Sequence, residues 1–85
     1  MKYPLIQALV ETIVFLGMSG DDAVNPDAAV GQLEEISTCL KELDGGERER
    51  FLATVSEMAI EAEGADGPTE RSRFLRDIPK HLGLT

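Results

Sequence analysis

The densest group of side chains that could hold a ligand lies between residues 21 and 27, a stretch that reads DDAVNPD. Its oxygen donors are Asp21, Asp22, Asn25 and Asp27. A calcium loop of the EF-hand type needs donors at alternating positions, a central glycine and a distal glutamate. Here the first two aspartates are adjacent, and Pro26 occupies a position where a flexible ligand would be needed. We therefore interpret the stretch as a solvated turn that leads into a helix cap, and we expect no metal or other cofactor.

Carboxylates recur at helical spacing in the segment that follows this turn. With the aspartates of the turn they form the candidate partner-binding set Asp21, Asp22, Asp27, Glu34, Glu35 and Glu42. Residues three, four and seven apart share a face of a helix, so these side chains can form one negative patch. Such a patch is either an ordinary solvated face or a docking surface for a basic protein, whose encounter it would speed. The sequence leaves both interpretations open.

Residues suited to acid–base or nucleophilic catalysis are scarce. The one histidine, His81, lies in a tail that we expect to be mobile, and the one cysteine, Cys39, adjoins Leu40 on a predicted helix. We expect Cys39 to be a buried small hydrophobic residue rather than a reactive thiol. Because no phosphate-binding glycine loop and no H-E-x-x-H pattern is present, the sequence predicts a binding protein and not an enzyme. A lone cysteine cannot form an internal disulfide, which favours a cytoplasmic location.

The chain is strongly acidic, with 16 Asp and Glu against 8 Lys and Arg and a net charge of −8 over 85 residues. This length suits a single domain, 1–85. Nucleic acid and anionic membranes are not expected partners because their phosphates would be repelled, whereas a basic protein surface is complementary. Residues 1–63 carry 4 basic and 13 acidic side chains, a net of −9, and residues 64–85 carry 4 and 3, a net of +1. We expect the C-terminal segment to lie against the acidic body.

Apolar residues at steps of three and four predict an all-α fold, a small bundle of three main helices plus a short C-terminal helix. The expected helices span about residues 4–16, 26–43, 45–63 and 68–77. Asn25 is a favoured N-cap, and Asp44 with Glu47 has the spacing of a capping box. Gly17 and Gly64 are expected to end the first and third helices. Pro79 is expected to keep the fourth helix from continuing far, and the tail from Lys80 to Thr85 is expected either to fray or to be anchored by Leu82 and Leu84.

The second helix is expected to organise the bundle, with the rest of the chain packed around it. Its predicted core stripe is Ala29, Val30, Leu33, Ile36, Leu40 and Leu43. The third helix is expected to bury Phe51, Leu52, Val55, Met58, Ala59 and Ala62 and to expose Arg50, Thr54, Glu57 and Glu61. Gly31 is unusual in mid-helix, where glycine costs about 1 kcal/mol relative to alanine.

The first predicted helix is apolar around most of its circumference. Such a helix is either central to the bundle or divided between the core and a homodimer interface. A membrane span needs about 20 apolar residues, and this shorter run contains Glu11. Gln7 and Glu11 also interrupt what would be the apolar region of a signal peptide, so we interpret the segment as a core helix.

The run from Asp21 to Glu34, D-D-x-V-x-P-D-x-A-V-x-x-L-E, resembles a pattern in small uncharacterised bacterial proteins. In size, acidity and helicity the chain is also similar to immunity proteins that neutralise bacterial toxins. The second resemblance implies a stoichiometric inhibitor that uses an acidic helical surface to bind a basic toxin. The alternative is a homodimeric structural or adaptor domain that pairs through the first helix.

Overall fold

The computed structural model describes residues 3–20 and 22–84, and in this part of the chain it contains four α-helices and no strand. The helices are α1 (Pro4–Met18), α2 (Pro26–Lys41), α3 (Gly45–Glu61) and α4 (Glu70–His81). The all-α prediction is therefore confirmed. The fourth helix has 12 residues and is the shortest of the four, since the others have 15 to 17. It extends four residues beyond its predicted end at residue 77, and it contributes to the core.

The predicted N-caps of α2 and α3 are present. The Asn25 side chain accepts hydrogen bonds from the backbone N–H groups of Asp27 and Ala28, at 2.9 and 3.1 Å. The Asp44 carboxylate accepts one from the backbone N–H of Glu47 at 2.7 Å. These side chains satisfy backbone donors that have no partner within the first helical turn, so the two helices begin where the sequence predicts.

Two glycines predicted to end helices do not do so. The helix α1 continues through Gly17 to Met18, and a side chain from elsewhere in the bundle packs on this glycine. The helix α3 ends before Gly64, which instead exchanges two backbone hydrogen bonds with Gly67, at 2.9 and 3.1 Å. Gly67 has a φ of +115°, a backbone conformation that favours glycine, so this turn requires it.

The helix α4 starts at Glu70, two residues after the expected start at Pro68, because Thr69 and Ser72 form a reciprocal capping box. The backbone N–H of each residue donates to the hydroxyl of the other, at 2.8 and 3.0 Å. The Thr69 hydroxyl also donates to the carbonyl of Ala62, at 2.8 Å. One side chain thus caps α4 and ties it to the end of α3.

Of the two alternatives for the tail, anchoring by Leu82 and Leu84 agrees with the structure and fraying does not. Pro79 lies inside α4, which continues for two more residues because proline removes only one backbone donor. The chain then turns at Gly83, where φ is +71°, and the N–H of Leu84 donates to the Pro79 carbonyl at 2.8 Å, as in a Schellman motif. Leu82 is buried, and its carbonyl accepts a hydrogen bond from the Ser37 hydroxyl of α2 at 2.7 Å.

The core forms where α1 meets all three other helices, and α3 packs most extensively against α4. The prediction that α2 organises the bundle is therefore wrong, since α2 packs chiefly on α1. The largest fully buried side chains are Val10, Ile13, Phe51, Ser72, Leu75 and Ile78. Among the described residues, none of the helices combines the length and the apolar character that a membrane span requires.

Val30 and Thr54 differ from the burial that the helix patterns predict for them. Val30 is 55% exposed, because it lies about 90° around α2 from the centre of the buried stripe. Thr54 is buried instead of exposed, and its hydroxyl donates to the Arg50 carbonyl at 2.8 Å, so no donor is left without a partner. The helix α1 contacts the other three helices but is buried on one face only, which is compatible with the second of its two predicted arrangements. Leu5 and Phe15 on its outer face are 88% and 55% exposed.

Candidate functional site

Four of the predicted partner-binding carboxylates, Asp27, Glu34, Glu35 and Glu42, are exposed on the outer side of α2 and its C-cap; we call them the acidic face. At 100° per residue they occupy about 100° of the helix circumference, opposite the buried Ile36 and Leu40. Asp22 is exposed in the turn before α2. Asp21 lies outside the described residues.

Two arginines of α4 form ion pairs with carboxylates outside the acidic face. Arg71 of α4 binds both oxygens of Glu11 on α1, at 2.8 and 2.9 Å, and Arg76 pairs with Glu63 after α3. These contacts agree with the expectation that the C-terminal segment lies against the acidic body. Within residues 3–20 and 22–84, no basic side chain lies within ion-pair distance of the acidic face. Its negative charge is therefore not neutralised by an ion pair in the described chain.

Beside the acidic face is a groove of about 520 Å³ between α1, α2 and α4. Its apolar lining is Ile13, Gly17, Val30, Leu33, Phe74, Ile78 and Leu82, and its polar lining is Glu34, Ser37, Thr38, Lys41 and His81. Glu34 belongs both to the acidic face and to the edge of this groove. A partner that follows α2 can therefore contact apolar side chains and carboxylates at the same time.

The groove depends on the absence of a side chain at Gly17. A Cβ atom at this position would lie 2.6 Å from Cε1 of Phe74, closer than real Cβ contacts come. The ring of Phe74 therefore packs directly on the backbone of α1, and it also stacks on His81 with the ring centroids 6.5 Å apart. Gly17, Phe74 and His81 come from two helices that are distant in sequence, and together they shape one wall of the groove.

The hydroxyl groups in the groove are already bonded within the chain. The Ser37 hydroxyl donates to the Leu82 carbonyl, and the Thr38 hydroxyl donates to the Glu34 carbonyl at 3.0 Å. The Lys41 side chain extends toward Gly83, with Nζ 3.3 Å from where a Cβ atom of that residue would lie. Polar contacts with a partner would thus depend on the charged groups of Glu34 and Lys41 and on the His81 ring, which also line the groove.

The predicted burial of Cys39 is wrong, because its side chain is exposed. Cys39 follows Thr38 of the outer side and precedes the buried Leu40, and successive helical residues point about 100° apart.

His81 is not in a mobile tail, since it belongs to the last turn of α4. It lines the groove and stacks on the ring of Phe74.

The oxygen donors of the turn before α2 do not assemble into a metal site among the residues that the structure describes. The Asn25 oxygen is engaged by two backbone N–H groups of the helix cap. The predicted helix cap at Asn25 is therefore present, and Asp21 lies outside the described residues.

Sequence reasoning identified the acidic face but missed the groove. The sequence predicts Val30 in the core stripe and Gly17 at the end of α1, and both residues instead line the groove. The available signal was a glycine inside a run of large apolar residues, which indicates a close approach of another group. The group that approaches, Phe74, lies 57 residues further along the chain (74 − 17), so local patterns do not reveal it.

Comparison with known proteins adds no relative. No family model, no curated protein and no solved structure matches this chain.

Proposed function

We propose that this chain is a stoichiometric protein-binding inhibitor, most concretely an immunity protein that neutralises a bacterial toxin by holding it on the acidic face. The single observation that supports this most is the distribution of ion pairs. Arg71 and Arg76 neutralise Glu11 and Glu63, whereas the carboxylates of the acidic face have no such partner in the described chain. A toxin that acts on an anionic substrate needs basic residues in its active site, and these are the groups that the acidic face would cover.

Electrostatics suits the role of a rapid inhibitor. Complementary charge raises the association rate from about 10⁵–10⁶ M⁻¹s⁻¹ toward 10⁸–10⁹ M⁻¹s⁻¹ at low salt. An inhibitor that must capture a toxin before it acts gains from this rate more than from contact area. The proposal assigns the chain no catalytic role.

The groove supplies the apolar part of the proposed contact. Exposed charge contributes specificity and rate more than affinity, which depends on a few buried apolar contacts at the centre of an interface. Val30 and Phe74 are placed to make such contacts beside Glu34. We therefore expect the partner to present a basic segment with apolar side chains on one side, which lies along α2 with those side chains in the groove.

The test is a charge reversal measured against the toxin encoded by a neighbouring gene. The variant combines Glu34→Lys, Glu35→Lys and Glu42→Lys, and the matched control combines Glu49→Lys, Glu57→Lys and Glu61→Lys on α3, where all three are also exposed. Both variants change the net charge equally. We expect the acidic-face variant to lower the association rate at low salt by about tenfold or more, and the control by no more than about threefold.

A second pair of variants tests the groove. Val30→Glu places a charge at its edge, and Ile60→Glu places one at a similarly exposed apolar residue of α3, 60% exposed against 55%. The Val30 variant should dissociate about tenfold faster from the partner, and the Ile60 variant should not differ from the wild type. Unchanged affinity after reversal of the acidic face, or the absence of any neighbouring toxin that the chain inhibits, would contradict the proposal.

A further inference from the structure

The outer face of α1 carries a stripe of exposed residues without a partner in the fold: Leu5, Ala8, Thr12 and Phe15. They are spaced by three, four and three positions, so they lie in one row on the helix. This row, the α1 stripe, shares no residue with the acidic face or with the groove. Its end residues are the large ones, Leu5 at 88% and Phe15 at 55% exposure.

We propose that the α1 stripe is the contact surface for a second copy of this chain, with the two α1 helices packed antiparallel about a two-fold axis at the level of Val10. This inference is independent of the proposed inhibitor function.

The order of residue sizes in the stripe favours this symmetry. From residue 5 to residue 15 the side chains of the stripe are large, small, small and large. Their spacing is the same in both directions from residue 10. An antiparallel pair centred there sets Leu5 of one copy opposite Phe15 of the other, and Ala8 opposite Thr12. The small central residues let the two helices approach closely, and a two-fold axis requires such a self-complementary surface. A parallel pair would instead set each residue against its own copy.

The distribution of charge also favours the α1 stripe as the contact surface. Two copies with a net charge of −8 repel each other, so a stable contact needs a surface without excess charge. The only charged residue of α1 is Glu11, and Arg71 binds both of its carboxylate oxygens. By contrast, the outer sides of α2 and α3 carry exposed carboxylates, among them Glu35 and Glu57.

The contact would leave no polar group of the stripe without a partner. The Thr12 hydroxyl, which is its only polar side chain, already donates to the Ala8 carbonyl at 3.0 Å. Next to Leu5 is a hollow of about 240 Å³, whose apolar lining includes Ile6, Leu9, Leu43 and Phe51 and whose charged lining is Glu47 and Arg50, one residue of each sign. Phe15 of the second copy, opposite Leu5, is placed to enter this hollow. Each dimer would contain this insertion twice.

The contact area between the two α1 helices determines the expected affinity of the dimer. A helix of 15 residues is about 22 Å long, and contact along one helix face is small beside the about 800 Å² per partner of a standard interface. We therefore expect a dissociation constant in the micromolar range, with copies that exchange readily.

Sedimentation of the full chain at increasing concentration tests the proposal. We expect the wild type to dimerise, Phe15→Asp and Leu5→Asp each to raise the dissociation constant about thirtyfold or more, and Ile60→Asp to leave it within about twofold. Circular dichroism verifies that the variants are folded. A wild type that remains monomeric at about 1 mM in about 0.3 M salt, where repulsion is screened, overturns the proposal. Equal weakening by Ile60→Asp and Phe15→Asp overturns it as well.

Disulfide cross-linking tests the orientation in a Cys39→Ser background. A mixture of Ala8→Cys and Thr12→Cys chains should cross-link faster than either chain alone, because only the mixture sets the two cysteines opposite each other. Faster cross-linking of Ala8→Cys with itself would indicate a parallel pair and overturn the antiparallel arrangement.

Discussion

Replacement of Gly17 by alanine measures the closest packing contact around the groove. The new Cβ atom would lie 2.6 Å from Cε1 of Phe74, so the ring must move away from α1. Forcing an extra carbon into a packed site costs about 1–3 kcal/mol. Alanine also favours a helix over glycine by about 1 kcal/mol, which offsets part of this cost. The expected net effect is a loss of up to about 2 kcal/mol in the free energy of unfolding.

Gly31 provides the matched control within the same fold. It also lies inside a helix, but a Cβ atom there would meet nothing within 4 Å. Gly31→Ala should therefore show the helix preference without a steric cost and raise the free energy of unfolding by about 0.5–1 kcal/mol. For a domain of this size, 1 kcal/mol corresponds to about 4–8 °C in Tm. The two substitutions should thus shift Tm in opposite directions.

A double-mutant cycle assigns the cost at Gly17 to the Phe74 ring. Leucine at position 74 lacks the Cε and Cζ atoms that would contact the new Cβ. In a Phe74→Leu background, Gly17→Ala should therefore be neutral or stabilising, with a coupling energy of about 1–3 kcal/mol. Urea unfolding followed by circular dichroism gives each free energy. The packing argument fails if Gly17→Ala stabilises the wild type as much as Gly31→Ala does, or if its cost persists in the Phe74→Leu background.

Three further predictions follow from the two ends of α4 and from the exposed thiol. Gly83→Ala should lower the free energy of unfolding by about 1 kcal/mol or more, because φ at this residue is +71° and the new Cβ atom would approach Lys41. A Tm equal to that of the wild type would contradict this prediction. Thr69→Ala should cost about 1–2 kcal/mol in urea unfolding, since it removes the cap of α4 and the hydrogen bond to Ala62, whereas Thr12→Ala on the outside of α1 should cost less. Cys39 should react with a thiol reagent in the folded protein at close to its rate in urea, and protection of tenfold or more would show that it is buried.

The parts of the fold that local chemistry determines could be predicted from the sequence. The caps at Asn25 and Asp44 depend on residues within three positions, and both are present. The acidic face follows from the 3.6-residue period alone, and its four described residues lie on one side of α2.

The parts that depend on distant contacts could not be predicted. An apolar residue next to the core stripe is equally compatible with burial and exposure, which is why Val30 and Cys39 were assigned to the wrong side. Gly17 has the pattern of a helix end until Phe74 is placed against it. Pro79 has the pattern of a stop, but α4 continues for two more residues to His81 and then ends in the turn at Gly83.

The uneven distribution of charge connects the two proposed surfaces and gives them opposite responses to salt. Arg71 of the C-terminal segment balances Glu11, the only charged residue of α1. The carboxylates of the acidic face have no ion pair in the described chain and stay negative. Raising the ionic strength from about 0.01 M to about 0.1 M shortens the Debye length from about 30 Å to about 10 Å. This screening should strengthen pairing through the α1 stripe, because it reduces repulsion between two acidic copies. It should weaken capture of a basic partner, because that encounter depends on attraction. Parallel salt series for self-association and partner binding would therefore separate the two surfaces, and a shift in the same direction for both would refute this assignment of charge.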